Sequence, residues 1–375
     1  MIINPFVVSG KIAPEYFCDR IEEACQLSRA LENQLNVVLT SERRMGKTSL
    51  IDFVLDKPEF QNDYIIVSLD ILYTSTFREF VMALGSAVFN RVASRSDKWR
   101  KQFVSLLKSL TASFSYDPIQ NTPTFNVSLG DIQRPEYTLT EIMEYLDSVD
   151  KPCIVVIDEF QQITRYPENN VEAILRTHIQ KMSNAVFVFS GSRRRIMEEM
   201  FFSSKRPFYQ SAKPLRLEPI NETVYLSFAT RHFQNAGKEL MADAFHFVYS
   251  KFFGVTFYIQ RILKDAFSTT PKGDICSLES ISQTIEDYLD ENDSRLREQL
   301  SYLTEVQKEV LYAIYREHEA HNITSMAFCK KYRLRSPSST QSASNKLLSM
   351  ELITRENNVF RISDPLLNLW LQRIF

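Results

Sequence analysis

Four short apolar segments with no polar alternation constrain the fold of this chain most strongly. They are Leu35–Thr40 (LNVVLT), Tyr64–Leu69 (YIIVSL), Cys153–Ile157 (CIVVI) and Ala185–Ser190 (AVFVFS). Such strands are expected to be buried on both faces, as in a parallel sheet covered by helices. Amphipathic segments such as Phe77–Val92 and Val171–Ser183 lie between them. This alternation predicts an α/β domain in the first part of the chain.

The rest of the chain has two other patterns. Ser113–Asp131 alternates apolar and polar residues around an Asn- and Pro-rich turn, which predicts an inserted β-hairpin. From Asn221 to Gln299 the apolar residues recur every three to four positions, which predicts a purely helical region.

The last 75 residues or so have the pattern of a winged helix, three helices followed by a hairpin. Thr304-x-x-Gln307 and Ser338-x-x-Gln341 are each predicted to begin a helix as a capping box, and Thr324 to cap a short helix between them. Asn357–Asn358 then suits the two-residue turn of a type I′ hairpin.

Length and charge limit the possible organisation. A chain of 375 residues predicts two or three domains, with boundaries at 1–218, 219–299 and 300–375. The content of 44% hydrophobic and 24% charged residues is typical of a folded protein. A formal net charge of −2 excludes a cationic surface over the whole chain, so any surface for nucleic acid or anionic lipid must be local.

The remaining compositional signals predict a cytoplasmic protein that does not engage a membrane. The five cysteines are scattered without a CxxC pair, as expected of reduced thiols in the cytosol. The amino terminus lacks the basic start of a signal peptide and is interrupted by Pro5. No apolar run approaches the roughly 18 residues of a membrane-spanning helix.

Ser41–Thr48 (SERRMGKT) carries the strongest chemical signal. It lies between an apolar strand and a helical segment and fits the phosphate-binding loop pattern GxxxxGK(S/T), with Ser41 in place of the first glycine. In such a loop, backbone N–H groups surround phosphate oxygens, Lys47 supplies a cation and Thr48 can ligate Mg²⁺. Gly46, one of only eight glycines, lies where the backbone approaches the phosphate.

Asp158 and Glu159 end an apolar strand, where carboxylates require cations or hydrogen-bond donors. In phosphoryl transfer the first of two such acids holds Mg²⁺, which assigns that role to Asp158. Glu159 is then placed to orient and deprotonate the attacking water. Ser190 and Ser192 end a further strand, where a hydroxyl can read the γ-phosphate or take part in an ordinary turn.

Several motifs together make the chain resemble the archaeal-type ATPases, STAND-class P-loop NTPases related to AAA+ proteins. Phe17–Glu23 is similar to the family's F-x-(D/G)-R-x-x-E segment, and Val155–Ile163 (VVIDEFQQI) to its Walker B strand. FSGS at Phe189–Ser192 resembles its sensor-1 strand end, Gly254–Gln260 its lid segment, and Ser363–Arg373 its D-P-x-x-x-x-W ending.

The resemblance implies an ATP- and Mg²⁺-dependent ATPase with a helical lid. It places Phe17, Asp19 and Arg20 beside the adenine. The chain departs from the family pattern at Thr256, where proline is usual, and at Gln210–Ser211, where Gly-Arg is frequent, so that Arg206 is the neighbouring candidate for an arginine sensor. The predicted nucleotide-binding residues are Phe17, Asp19, Arg20, Ser41, Glu42, Arg43, Arg44, Met45, Gly46, Lys47, Thr48, Ser49, Ser190 and Arg206.

The sequence of the winged helix is compatible with either DNA or another protein as its binding partner. Residues 301–375 contain ten Lys and Arg against seven Asp and Glu, and Lys330, Lys331, Arg333 and Arg335 cluster before the third helix. Such cations suit DNA phosphates. The third helix has only one charged residue, Lys346, and lacks the arginines of most base contacts. Its expected exposed polar residues are Ser339, Thr340, Gln341, Ser342, Ser344 and Asn345.

A protein partner for the winged helix is therefore the first hypothesis and DNA the second, and a homo-oligomer is compatible with the sequence. The predicted function is a slow ATPase that acts as a nucleotide-driven conformational switch on the winged helix. The alternatives are a non-hydrolysing nucleotide-gated scaffold and an ATP-dependent DNA-binding regulator.

Overall fold

The computed structural model describes residues 4–93, 97–107, 113–117, 122–126 and 132–375. The chain forms two compact units. The first comprises Ser9–Pro219, and the second comprises Ile220–Phe375 together with the amino-terminal residues up to Val8. The domain boundaries expected from the sequence stay predictions, and the one at 299–300 falls in the last turn of a helix that ends at Ser301.

A parallel sheet forms the centre of the first unit. The strands of this unit are β1 (Val37–Thr40), β2 (Ile65–Asp70), β3 (Ser113–Asp117), β4 (Thr122–Asn126), β5 (Cys153–Asp158), β6 (Ala185–Gly191) and β7 (Lys213–Arg216). The sheet has the order β2-β5-β6-β1-β7, and all its neighbours pair in parallel. The predicted α/β fold with a parallel P-loop-type sheet is confirmed.

Alternate residues of β5 enter two separate hydrophobic clusters, one on each face of the sheet. Val155 and Ile157 belong to one cluster, whereas Ile154 and Val156 belong to the other. Because successive strand residues point to opposite faces, an uninterrupted apolar strand must be covered on both sides. The helices of this unit are α1 (Ile21–Glu32), α2 (Lys47–Leu55), α3 (Pro58–Asp63), α4 (Phe77–Ala93), α5 (Asp97–Leu106), α6 (Pro135–Ser148), α7 (Val171–Ile179) and α8 (Arg194–Phe202).

The strand pair β3–β4 lies within the segment predicted as a hairpin, and its strands are antiparallel with Ser113 opposite Asn126. Residues 118–121 and 127–131 of that prediction lie outside the described residues. The strand β7 was not expected from the sequence, because only Leu215 of its four residues is buried and the segment carries no apolar run.

The second unit begins with four helices: α9 (Glu222–Asn235), α10 (Ala242–Lys251), α11 (Thr256–Thr269) and α12 (Leu278–Ser301). The expectation of a purely helical region is wrong in one detail. Two-residue strands β8 (Glu239–Leu240) and β9 (Ile275–Cys276) pair in parallel. Segments this short cannot produce the periodicity by which strands are recognised.

The carboxy-terminal part is a winged helix, as predicted. Its elements are α13 (Glu305–Glu317), β10 (Ala320–His321), α14 (Met326–Lys331), α15 (Pro337–Ser349), β11 (Ile353–Glu356), β12 (Val359–Ile362) and α16 (Pro365–Ile374). The capping box of Thr304 and Gln307 is present. Asn357 and Asn358 have φ values of 48° and 63°, the left-handed pair that a type I′ turn requires.

Two predicted helix caps in the winged helix are wrong by one and two residues. Ser325 rather than Thr324 caps α14, accepting from the Phe328 N–H. Ser336 rather than Ser338 caps α15, since Pro337 then occupies the first helical position, where its missing N–H costs nothing.

Polar contacts join α16 to the preceding helices of the same unit. Trp370 donates from Nε1 to Asp293 of α12 at 2.9 Å. Asp364 caps α16 by accepting from the Leu366 N–H and also accepts from the Tyr258 hydroxyl of α11. The winged helix is therefore tied directly to α11 and α12. Among the described residues, no helix combines the length and apolarity that crossing a bilayer requires.

Candidate functional site

The loop from Ser41 to Gly46 connects β1 to α2, which begins at Lys47. Arg44 and Gly46 have φ values of 66° and 89°, so the chain twice takes the left-handed conformation before the helix. Successive N–H groups in such a loop, together with the amino end of a helix, form an anion-binding concavity. The assignment of Ser41–Thr48 as a phosphate loop stays a prediction, and this backbone is compatible with it. The neighbouring loop residues Glu42 and Arg43 are exposed, whereas Met45 is buried.

Lys47 is held by the loop that it follows. Its Nζ donates to Ser41 Oγ at 3.1 Å and to the Glu42 carbonyl at 3.4 Å. Burial lowers the pKa of the Lys47 ammonium, and the nearby carboxylates of Asp158 and Glu159 oppose this effect. The serine that replaces the first glycine of the motif thus provides a hydrogen-bond acceptor for the lysine.

Thr48 and Asp158 meet at the carboxyl edge of the sheet. Thr48 donates from Oγ1 to Asp158 Oδ2 at 3.2 Å, although 110 residues separate them in sequence. Asp158 Oδ1 accepts from the Glu159 N–H at 2.9 Å. The two residues predicted to hold Mg²⁺ are therefore adjacent. Ser49, in the first turn of α2, is half-buried.

Glu159 lies at a sharp turn after β5, with φ of 55°. Its Oε2 accepts hydrogen bonds from Ser192 Oγ at 2.9 Å and from Gln161 Nε2. Ser192 in turn accepts from Arg43 Nε at 3.5 Å. A chain of hydrogen bonds thus joins the phosphate loop, the end of β6 and the carboxylate that follows β5.

The two strand-end serines differ in environment. Ser190 is fully buried, and its Oγ has no hydrogen-bond partner in the described part of the chain. Ser192 lies one residue beyond β6 and contacts Glu159. The predicted nucleotide-binding residues include Ser190 and not Ser192, whereas the contact with Glu159 adds Ser192 to the candidate site.

The segment before α1 contacts both the phosphate loop and the helix that follows it. Phe17 stacks on Phe53 of α2 with ring centroids 4.2 Å apart. Arg20 is only 5% exposed and donates to the Met45 carbonyl at 3.2 Å and to the Glu218 carbonyl at 2.6 Å. Asp19 and Arg20 both have positive φ values. Arg20 therefore contacts the backbone of the phosphate loop directly.

Arg206 makes its ion pairs outside the group of residues described so far. It forms ion pairs with Glu172 of α7 and Glu199 of α8. The side chain proposed as an arginine sensor is thus held by two carboxylates that do not belong to the predicted site.

Sequence reasoning missed two residues of the site, Gln161 and Asp70. Asp70 ends β2 and pairs in register with Asp158. Burial raises the pKa of Asp70, and repulsion from Asp158 and Glu159 adds to this effect. Asp70 could have been found from the sequence, because the segment Ser68–Asp70 makes the end of β2 polar. Among the described residues, no group of three or more His, Cys, Asp or Glu side chains could hold a metal ion by itself.

The winged helix presents fewer polar residues than expected. Thr340 and Ser344 of α15 were predicted to be exposed but are only 1% and 0% exposed. Thr340 donates to the Ser336 carbonyl and Ser344 to the Gln341 carbonyl, which satisfies both hydroxyls within the helix. The residues of α15 that are exposed are Ser338, Gln341, Ser342, Asn345, Lys346 and Ser349.

The cations before α15 are all exposed. Lys331 pairs with Glu317, whereas Lys330, Arg333 and Arg335 make no ion pair within the described residues. The patch of positive charge predicted from the sequence is therefore accessible.

A phosphate loop after β1, carboxylates after β5 and a carboxy-terminal winged helix define the class: the chain has the fold of a P-loop ATPase with a winged helix. Residues 295–373 match the family described as "Probable winged helix domain". No curated protein matches the sequence.

Several solved structures share the fold over nearly the whole chain. The Walker-type ATPase PABY2304 of Pyrococcus abyssi is 19% identical, with a TM-score of 0.64 over 98% of this chain and 99% of that one. The ORC2 protein of Aeropyrum pernix, in ADPNP–ADP complexes, is 13% identical, with a TM-score of 0.60 over 99% and 97%.

The ORC1 protein of Aeropyrum pernix, in complex with DNA, is 12% identical, with a TM-score of 0.54 over 99% of this chain and 96% of that one. The resemblance to archaeal Walker-type ATPases noted in the sequence is thus confirmed in the fold.

Proposed function

We propose that the chain binds Mg·ATP at the phosphate loop and hydrolyses it slowly. The observation that carries the proposal is the 3.2 Å contact between Thr48 Oγ1 and Asp158 Oδ2, with Lys47 beside Thr48 in the first turn of α2. A hydroxyl and a carboxylate oxygen are hard donors that suit Mg²⁺, which usually keeps one or two protein ligands besides phosphate and water. The resemblance to the archaeal-type ATPases favours adenine over guanine.

Each residue of the candidate site would have a separate role in ATP hydrolysis. Thr48 and Asp158 would hold Mg²⁺, which would supply positive charge to the phosphate groups when bound. The ammonium of Lys47 would add a second positive charge there. Glu159 would orient a water and accept its proton as the water attacks, and Ser190 or Ser192 would read the γ-phosphate.

Two measurements on the wild-type chain test this function. Calorimetry with Mg·ATP should report binding, and a phosphate-release assay should report turnover that is slow relative to the 1–100 s⁻¹ or so of phosphoryl-transfer enzymes such as kinases. Failure to bind Mg·ATP would contradict the assignment of the phosphate loop itself.

We also propose that ATP changes the conformation of the lid and winged helix. Support comes from the bonds that Tyr258 and Trp370 make between the helices α11, α12 and α16. Because these helices are joined, a change at α11 or α12 would be transmitted to the winged helix as a whole. A ligand shifts such an equilibrium only by its different affinities for the two conformations.

Hydrogen exchange separates this switch from a purely structural role of ATP. ATP, but not ADP, is expected to change protection in Lys330–Ser344, a segment remote in sequence from the phosphate loop. If ATP only stabilises its own site by mass action, changes in protection should be confined to residues 17–60 and 153–192. That outcome would remove the switch and leave the ATP site intact.

The favoured partner of the winged helix is another protein, and DNA is the second candidate. The exposed cations Lys330, Arg333 and Arg335 support DNA, but α15 exposes Lys346 as its one charged residue, and most specific base contacts need arginine. A gel shift with duplex DNA decides between them. If the winged helix binds DNA through its cations, the affinity for DNA must fall steeply as the salt concentration increases. The absence of any shift at low salt would exclude the hypothesis of a DNA-binding regulator.

A further inference from the structure

Gln161 makes a contact that the proposed chemistry does not yet use. It lies in the 3₁₀ turn Phe160–Arg165 that follows Glu159, and it is only 3% exposed. Its Nε2 donates to Glu159 Oε2, the oxygen that also accepts from Ser192. Two neutral donors thus converge on one oxygen of the carboxylate.

The position of the Gln161 amide is fixed by close packing against β6. A Cβ atom at Gly191 would lie 2.2 Å from Gln161 Oε1 and 2.8 Å from Met197. No side chain can therefore occupy position 191 while the amide stays where it is. Gln161 Oε1 has no hydrogen-bond partner among the described residues, so the contact with Glu159 is what orients the amide. An ionised carboxylate only accepts, which places the NH₂ group of the amide toward Glu159.

We propose that Gln161 is a positioning residue for Glu159 in ATP hydrolysis. The inference rests on the proposed function and deepens it. By holding Oε2, Gln161 and Ser192 leave Oε1 of the carboxylate to accept the proton of the attacking water. A glutamate side chain has three rotatable bonds, and an error of about 1 Å in the position of a reacting group can cost roughly a hundredfold in rate.

The replacement Gln161→Met tests the proposal, because methionine has a similar length but no donor. Turnover at saturating ATP is expected to fall about tenfold or more, which is part of the roughly 10²–10⁴-fold contribution of a general base, while the Kd for Mg·ATP changes less than about twofold. A merely structural glutamine would alter stability without this split between kcat and Kd. ATP binding by the same preparation shows that the site is folded.

Gln162→Met is the matched control. Gln162 is the next residue, is partly buried and donates from Nε2 to the Thr74 carbonyl at 2.9 Å instead of to Glu159. Its replacement makes the same chemical change one position away and should leave kcat unchanged.

A double-mutant cycle with Gly191 checks the geometry. Gly191→Ala should displace the Gln161 amide and lower kcat, and this loss should be smaller in a Gln161→Ala background, where the clash with the amide is absent. Any cost of the contact with Met197 is present in both backgrounds, so it cancels from the difference between the two losses. If Gln161→Met fails to fold, Gln161→Ala from this cycle provides the same comparison.

The outcomes separate this inference from the proposed function. Full turnover in Gln161→Met or Gln161→Ala, beside an inactive Glu159→Gln variant, would overturn the positioning role and leave the ATPase intact. A wild-type chain that releases no phosphate would overturn both, since there would be no attack to orient.

Discussion

Lys47→Ala is expected to abolish measurable binding of Mg·ATP. Lys47 follows the phosphate loop directly, and its Nζ already lies among acceptors of that loop, Ser41 Oγ and the Glu42 carbonyl. Hydrogen bonds to charged groups contribute about 1.5–3 kcal/mol each. Losing two such bonds to phosphate oxygens would weaken binding by about a hundredfold or more, a change that calorimetry resolves easily.

The loss should not come from unfolding. Because burial lowers the pKa of Lys47, the folded state binds this proton less tightly than the unfolded state does. The charged ammonium therefore costs folding free energy at every pH below the unfolded pKa, and the cost fades only at high pH. Removing Lys47 removes this cost together with the hydrogen bonds of its ammonium to Ser41 and the Glu42 carbonyl. The two effects oppose each other, so the free energy of unfolding is expected to change little, which urea denaturation can measure.

Lys57→Ala is the matched control for this experiment. Lys57 is a lysine of the same unit that donates to Ser28 Oγ at 3.1 Å, outside the phosphate loop. Its replacement should preserve the Kd for Mg·ATP. If Lys47→Ala binds as tightly as Lys57→Ala, the loop does not bind phosphate in the way that we propose.

The sequence predicted the sheet well because its strands depend on a strong local signal. The run Cys153–Ile157 is apolar at every position, and the structure extends it by only one residue, to Asp158. By contrast, β7 follows from tertiary pairing with β1. Only one side chain of Lys213–Arg216 is buried and the segment contains a proline, so no local sequence pattern predicts a strand there.

Part of the site could be predicted because parallel strands bring their carboxyl ends to one edge of the sheet. The approach of Thr48 to Asp158 follows from the loop after β1 and the end of β5. Gln161 could not be found in this way. The left-handed backbone at Glu159 turns the chain so that the side chain two residues later points back to Glu159.

The expectation for Arg20 shows a different limit of sequence reasoning. The resemblance placed this residue beside the adenine, which stays a prediction, but a motif does not state which way a side chain points. In the structure the guanidinium contacts backbone carbonyls of Met45 and Glu218. Its position near the loop was predictable, whereas its partners depend on a positive φ that no pattern in the sequence reveals.

Glu159→Gln is expected to retain Mg·ATP binding and to lose turnover by about a hundredfold or more, the usual contribution of a general base. Glutamine has nearly the same shape, and its Oε1 can still accept from Ser192 and Gln161. It cannot take a proton from water, because an amide oxygen is a far weaker base than a carboxylate. Calorimetry and single-turnover phosphate release on the same preparation measure the two effects separately.

Glu168→Gln is the control, since Glu168 is another glutamate of this unit that accepts a hydrogen bond, in this case from the Phe77 N–H at 3.1 Å. It should keep both binding and turnover.

The comparison of the wild-type chain with Glu159→Gln also decides between an enzyme and a non-hydrolysing scaffold. If the wild-type chain releases phosphate no faster than Glu159→Gln while both bind Mg·ATP, Glu159 performs no chemistry and the nucleotide acts only by being bound. If turnover falls while binding persists, the carboxylate held by Gln161 and Ser192 is the base, and hydrolysis limits how long the ATP-bound conformation lasts.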